Sequence, residues 1–298
     1  MEITKCALIT IAGRPNVGKS TLANTLVGEK IAIVTNKPQT TRGRIYAVMN
    51  RGDTQLVFVD TPGFHKPRNK LGEYMVNVVR GSISGSDAIL MMVEPVPSVG
   101  PQEAELIKSF EAAKVPVVLA INKIDTVKKE DLLAVIAAYS EAYGFEHIVP
   151  VSAQSGEGVD ELVSVLSGYA VEGHALFPED MVTDQSDSQI IAELIREKML
   201  RCLDHEIPHG TAVEVTRFSQ RDNDVIDVEV NIYCEKASHK SIIIGKNGSM
   251  LKKIGELSRR DIEKYMGYKV YLQTWVKVKE NWRDRPAFLN DLGFKKED

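Results

Sequence analysis

From residue 5 to about residue 168, short β-rich apolar runs alternate with helix-length amphipathic stretches. CALITIAG precedes GKSTLANTLVG, and LVFVD precedes a helical stretch near 70–81. DAILMMVE, QEAELIKSFEAA, VPVVLAINK, EDLLAVIAAYSEAY, HIVPVSA and VDELVSVLSGY continue the alternation. Runs that are apolar on both faces predict strands buried between two layers of helices, and therefore an α/β fold around a mostly parallel sheet. Ligands of such sheets bind beyond the carboxyl ends of the strands. The opening MEITKCALITIAG has one lysine and a short apolar run without a small-residue cleavage site, so it reads as the first buried strand and not as a signal peptide.

The periodicity lapses between about 171 and 189, where VEGHALFPEDMVTDQSDSQ is polar and acidic. That composition predicts a linker at 173–189 between a first domain, 1–172, and a second, 190–298. The second half has a different order. It runs helix (SQIIAELIREKMLRCL), strand (TAVEVTRFSQ), strand (VIDVEVNIYCE), a short helix through SIIIG, a helix (SMLKKIGELSRRDIEKYM) and a strand (KVYLQTWVKVKE), an α+β arrangement.

Composition adds little until it is divided. The 298 residues are 43% hydrophobic and 26% charged, with no apolar run approaching the ~18 residues of a membrane span. Cys6, Cys202 and Cys234 are distant from one another and fit no metal-binding spacing, which predicts reduced thiols in a cytoplasmic protein. The formal net charge is −4, yet residues 236–285 hold 13 basic against 5 acidic residues while 180–235 hold 5 against 13. The basic block surrounds the tetrapeptide GKNG.

Gly13, Gly18, Lys19 and Ser20 in GRPNVGKS match G-x-x-x-x-G-K-[ST], with a strand before and a helix after. The backbone amides of such a loop converge on phosphate oxygens, the lysine reaches the terminal phosphates and the serine hydroxyl can ligate Mg²⁺. Arg14, Pro15, Asn16 and Val17 complete the loop. VFVDTPG then delivers Asp60 for Mg²⁺ and Gly63, whose amide can meet a γ-phosphate. Between them, IAIVTNKPQTTRGR has the character of a mobile loop, and Thr41, beside Pro38 and Thr40, is the expected Mg²⁺ ligand. The catalytic set is thus Lys19, Thr41, Asp60 and Gly63, with Ser20, Thr41 and Asp60 on the metal.

The base is read from NKID and SAQ. A carboxylate at Asp125 can accept from both N1–H and the 2-amino group of guanine, which adenine does not offer, so GTP and GDP are favoured over ATP. Asn122 is expected to stitch this loop to the cradle, the stem of Lys123 to lie along the base, and a backbone amide at Ser152 or Ala153 to meet O6. Phe64 follows DTPG and cannot orient an attacking water, which predicts slow intrinsic turnover. Asn16 is the residue type that holds a monovalent cation such as potassium against phosphates, with groups from 35–40 completing the shell; the alternative is that it only braces the loop.

In IIIGKNGSMLKKIG, Gly245, Lys246, Asn247 and Gly248 lie between helical stretches. G-x-x-G in this setting is the clamp of KH modules, closing on about four nucleotides of single-stranded RNA. Ile244, Lys252 and Lys253 flank it, Ile242 and Ile243 could line the groove, and Lys277, Lys279, Arg283 and Arg285 are further candidate phosphate contacts. Two function classes follow: an enzyme in which GTP hydrolysis gates an RNA module, or a constitutive RNA-binding protein whose nucleotide domain is a scaffold or serves a separate signalling role. The joint presence of Ser20, Thr41 and Asp60 favours the first, and NKID argues against an ATP-driven helicase or kinase.

GRPNVGKS, PQTTR, DTPG, NKID and SAQSG followed by GKNG resemble the Era family of GTPases over nearly the whole chain. The resemblance implies a P-loop GTPase domain followed by a type II KH domain, binding of the 3′ region of 16S ribosomal RNA, and assistance to maturation of the 30S ribosomal subunit. It also implies loose association with the inner face of the cytoplasmic membrane and a nucleotide contact by Thr21, which the helix after Ser20 would aim at the α-phosphate; a monomer is expected.

Overall fold

The computed structural model describes residues 2–221 and 224–295. The chain divides into two compact units, one taking the residues to Pro67 and Gly72–Asp184, the other Arg68–Leu71 and the residues from Gln185 onward.

The first unit contains β1 (Lys5–Gly13), α1 (Lys19–Val27), β2 (Ile45–Arg51), β3 (Thr54–Asp60), α2 (Lys70–Ser84), β4 (Ala88–Val93), α3 (Pro101–Ala113), β5 (Val117–Ile121), α4 (Lys129–Ala142), β6 (His147–Pro150), α5 (Val159–Ser167) and β7 (Val171–Glu172). The sheet runs β2-β3-β1-β4-β5-β6, parallel from β3 to β6, with β7 antiparallel to the start of β1. Strands β3, β4 and β5 are buried at every position, because helices cover both faces. Ile9 and Ile11 of β1 pack with Leu22 and Leu162 on the α1 and α5 side. On the other face Ile89 and Met91 of β4 pack with Phe110 and Tyr139 under α3 and α4.

Two features were not foreseen. IYAVMNR forms β2, an antiparallel edge strand joined to β3 through Gly52 and Asp53. It escapes the apolar-run criterion because its exposed end carries Asn50 and Arg51. The expected linker is also mostly docked. Val48 N–H donates to Val182 O (2.9 Å), Tyr46 N–H to Asp184 Oδ1 (3.1 Å) and Asn50 Nδ2 to Glu179 O (2.8 Å). Gln55, fully buried on β3, accepts from the amides of Leu176 and Phe177 at 2.8 and 2.9 Å and donates to Phe177 O at 2.9 Å. Polar residues here satisfy a strand edge instead of solvating a free connection, which also shields that edge from other chains.

The second unit contains α6 (Asp187–Cys202), β8 (Thr211–Gln220), β9 (Val225–Cys234), α7 (Ala237–Ile244), α8 (Ser249–Met266), β10 (Lys269–Val278) and α9 (Pro286–Asp291). Ser186 starts α6 through a reciprocal cap with Gln189. The sheet order is β10-β9-β8, with β9 parallel to β10 and antiparallel to β8. Ile226, Val228, Val230 and Ile232 of β9 pack against Ile191, Ile195, Ile254 and Ile262 of the helices. The tail departs from its reading as a phosphate-binding segment at Arg283, whose guanidinium forms a two-pronged pair with Glu235 at 3.0 and 2.6 Å. Trp282 beside it is buried and donates to Gly210 O at 2.9 Å.

Gln55→Leu keeps the volume of the side chain but strands the amides of Leu176 and Phe177. We expect it to cost about 1–3 kcal/mol, read by thermal unfolding, and to expose residues 173–184 to limited proteolysis.

Candidate functional site

A cavity of about 430 Å³ opens at the carboxyl ends of β1 and β3, lined among others by Pro15, Asn16, Gly18, Lys19, Ser20, Thr21, Thr41, Gly63 and Lys123. This volume is in the range of small-molecule sites. The loop between β1 and α1 builds its floor. Gly18 has φ +105°, and a Cβ there would fall 2.2 Å from Asn122 Nδ2, so both conformation and space demand glycine. Two loop residues carried by position serve the fold with their side chains. Val17 is fully buried in the core, and Arg14 turns toward Glu103.

Lys19 is buried, and its ammonium donates to the carbonyls of Gly13 (3.1 Å) and Arg14 (2.9 Å). Burial brings it down to about 8, an effect opposed by the Asp60 carboxylate. Asp60 ends β3 fully buried, and desolvation raises its carboxyl against the pull of Lys19 and hydrogen bonds from Ser20 and Thr41. Ser20 Oγ donates to Asp60 Oδ2 at 2.7 Å, Ser20 Oγ and Thr41 Oγ1 lie 2.8 Å apart, and Thr41 Oγ1 is 3.4 Å from the same carboxylate oxygen. Asp60 Oδ1 is buried with no hydrogen-bond partner. Two hydroxyls and a carboxylate with one oxygen unsatisfied form a donor set that suits Mg²⁺, a hard cation that takes oxygen ligands and few carboxylates. Residues far apart in sequence, on α1, on the 31–44 loop and on β3, thus meet at one point.

Asn122 follows β5 directly, at 2% exposure. Its Nδ2 donates to Val17 O at 2.7 Å and its Oδ1 accepts from Ala153 N–H at 2.8 Å, which ties the loop between β1 and α1 to the loops after β5 and β6. The amides aimed at O6 therefore have protein acceptors, since Ser152 N–H donates to Glu157 O at 2.8 Å. Gln154, the next residue, lines the cavity. Asp125 stands exposed on a single 3₁₀ turn, Ile124–Thr126.

Sequence reasoning missed the charges that hold these loops from behind. Glu94, just after β4, pairs with Lys123 and lies 3.7 Å from Arg14. Arg14 Nε is 2.8 Å from Glu103, close enough for an ion pair although not aligned as a hydrogen bond. Glu103 is buried at the start of α3, where it accepts from Gly100 N–H at 2.7 Å and lies 3.3 Å from the hydroxyl of Tyr139, whose ionisation is pushed up by burial and by this carboxylate. Nothing in local sequence marks Glu94 or Glu103, because their partners are brought in by the fold. Asn16 donates to Asn36 O at 2.9 Å, which braces the 31–44 loop. Phe64 is buried, and its N–H donates to Gly13 O at 3.0 Å. His65 after it lies 2.8 Å from Gly63 O and 3.3 Å from Gln39 Nε2.

In the second unit, Gly245 and Gly248 flank a turn of 3₁₀ helix, Lys246–Gly248, between α7 and α8. Gly245 has φ +74°, and a Cβ would fall 2.7 Å from that of Met250; Gly248 has φ +77° with open space around it. Lys246, Asn247, Lys252 and Lys253 are exposed, with both flanking lysines in the first turns of α8. Of the isoleucines, Ile243 is in the core, Ile244 is half-buried and Ile242 is exposed.

Residues 8–123 match the model of a 50S ribosome-binding GTPase, and residues 206–283 match that of a KH domain. The GTPase Era of Ruminiclostridium cellulolyticum is 49% identical over 291 residues, covering 98% of each chain, and that of Clostridioides difficile is 48% identical over 97% of this chain and 98% of its own. Among solved structures, Era in complex with MgGDPNP and nucleotides 1506–1542 of 16S ribosomal RNA superposes with a TM-score of 0.94 at 36% identity, covering 98% of this chain and 99% of its own. A variant of Aquifex aeolicus Era bound to GDP and aluminium fluoride gives the same score and identity, covering 97% of this chain and 99% of its own.

Glu94→Gln removes the carboxylate that holds Lys123 while leaving the cavity floor intact. The GDP Kd, measured with a fluorescent analogue, should rise about threefold to tenfold, the worth of one or two half-exposed ion pairs.

Proposed function

The chain belongs to the Era family of GTPases, and on that premise we propose a GTP-hydrolysing switch that binds the 3′ region of 16S ribosomal RNA through its KH module and serves small-subunit assembly. The observation that carries this reading is the meeting of Ser20, Thr41 and Asp60 beside Lys19. A scaffold would gain nothing from burying a carboxylate against an ammonium and leaving one of its oxygens unsatisfied.

Bound at Ser20, Thr41 and Asp60, Mg²⁺ supplies charge neutralisation to the phosphate oxygens. The chain's own groups do the rest. The loop amides and the start of α1 offer a positive end to the phosphates, and Lys19, buried and steadied by the carbonyls of Gly13 and Arg14, brings its ammonium to them. Gly63, which lines the cavity, meets the terminal phosphate with its amide, and Asp125, Asn122, Lys123 and the 152–154 loop serve the base. Among the side chains of this site we assign no general base, so catalysis rests on positioning and charge. The buried Phe64 leaves the attacking water without an orienting side chain, and turnover in isolation is slow. Asn16, Thr35, Asn36 and Thr40 line the cavity together and suit a potassium ion that offsets charge in the transition state. The protein acts in the cytoplasm as a monomer and, by family resemblance, touches the inner membrane peripherally. Among the described residues no helix is long and apolar enough to cross a membrane.

Two measurements test this. Hydrolysis should run faster in potassium than in sodium, with the difference abolished by Asn16→Ala; equal rates in the two salts would remove the cation from the reading. RNA from the 3′ end of 16S ribosomal RNA should bind with an affinity that differs between GTP-analogue and GDP states at fixed salt, by about 5–150-fold, and RNA should shift nucleotide affinity by the same factor. Gly248→Asp is the control, since Gly245 has no room for a side chain. Affinity that ignores the nucleotide would favour the constitutive RNA-binding reading instead.

A further inference from the structure

The helical face of the second unit's sheet is core, but its opposite face is open along β10. Val270, Leu272 and Val276 point to the helices, so the alternate residues Lys269, Tyr271, Gln273, Trp275 and Lys277 share the outer face. Tyr271 is 49% and Trp275 43% exposed, large values for residues of this size on a strand. Four residues apart, they stand about 13 Å from each other along the strand. Across the register Tyr271 faces Asp227 and Trp275 faces Asn231 on β9. Of the acids on this face, Asp227 is matched by Arg221 and Glu229 by Arg217, while Glu214, opposite Asn231, accepts from the hydroxyl of Tyr233 at 2.6 Å; the Arg221 guanidinium also stands 5.2 Å from the centre of the Tyr271 ring. Lys269 and Lys277, which bracket the two rings, form no ion pair among the described residues. The far end of the face is closed by the tail, where Phe288 packs edge-on against Tyr233 at 4.9 Å. What stays uncovered is a strip of cation, ring, amide, ring and cation on the edge strand.

We propose that this strip is a second RNA contact, on which bases that extend beyond the GKNG clamp stack against Tyr271 and Trp275 while Lys269 and Lys277 meet the phosphates. The proposal rests on the reading of the second unit as an RNA-binding module. Single-stranded nucleic acid is the occupant because exposed rings spaced along a strand and flanked by unmatched lysines are the stacking platform that such chains use. β10 also belongs to the same basic block, 236–285, that carries the clamp. An acidic protein surface would match the lysines but would leave the two rings without their stacking partners.

The test uses the full chain and RNA from the 3′ end of 16S ribosomal RNA, at a length of about fifteen nucleotides and trimmed to about five, near the reach of the clamp alone. Tyr271→Ala/Trp275→Ala should weaken the long RNA about 10–100-fold and leave the short one within about twofold. Trp275→Phe should retain most of the affinity, and GTP turnover without RNA should not change. Because the only other tryptophan, Trp282, is buried, quenching of the exposed indole by the long RNA reports stacking directly. Unchanged affinity of the double variant for the long RNA, or unquenched emission, would overturn the proposal. So would loss of binding to anionic vesicles with RNA binding intact, which would assign the face to a lipid surface. Gly248→Asp separates the two readings. Loss of the short RNA in that variant supports the clamp, whereas undiminished binding of both lengths would refute the clamp while leaving the ring variants to decide the strip.

Discussion

The carboxamide of Asn122 is the joint on which the nucleotide site depends. One side chain at 2% exposure gives a hydrogen bond to the phosphate loop and takes one from the 152–154 loop, so three strand ends are fixed relative to one another by two buried bonds. Buried amides of this kind cost far more to leave unpaired than they contribute when paired, and the arrangement is correspondingly all-or-none. Gly18 is the counterpart of this joint. The carboxamide occupies the space that any side chain at that position would need. The loop between β1 and α1 and the loops after β5 and β6 are therefore one mechanical unit, although about a hundred residues separate the first from the others.

Behind that joint lies a second layer of charge. Glu94 and Glu103 hold Lys123 and Arg14 from the sides of β4 and α3, and Glu103 in turn caps its own helix at Gly100. The front of the site has a different character. Lys19 and Asp60 are both desolvated, each shifted toward its neutral form by burial and back toward charge by the other. The tension is relieved when phosphate and metal bring their own charges, which is one physical reason for such a pocket to favour a loaded state.

What the sequence made legible follows from what is local. Fully buried strands announce themselves as apolar runs, and the motif residues sit at strand ends because that is where the chain leaves the core. The fold class and the second unit's element order could be read this way, and Ser20, Thr41 and Asp60, named from three separate motifs, lie together in the structure. β2 was not, because an edge strand with a polar end has no pattern distinct from a loop. Residues 173–184 were taken for a connection because polar composition does not say whether the polar groups face water or a strand edge. Glu94 and Glu103 were silent for a related reason, as an acidic residue after a strand or at a helix start is common and acquires its role only from a partner many residues away. Arg283 shows the converse error, a cation in a basic tail that is spoken for by Glu235. Ile243 and Ile244 show how narrow the margin is, adjacent residues of one type of which only one is wholly core.

The docked segment after β7 also changes what the connection between the units is. With Thr183 bridged to Ala47 and α6 beginning at Asp187, only a few residues separate the docked segment from that helix. Residues 173–184 are slack wound onto the edge of the sheet, about 40 Å of extended chain if it were paid out. Loss of the grip of Gln55 and Asn50 would pay that slack out and leave the amide of Val48 on β2 without its acceptor, the carbonyl of Val182.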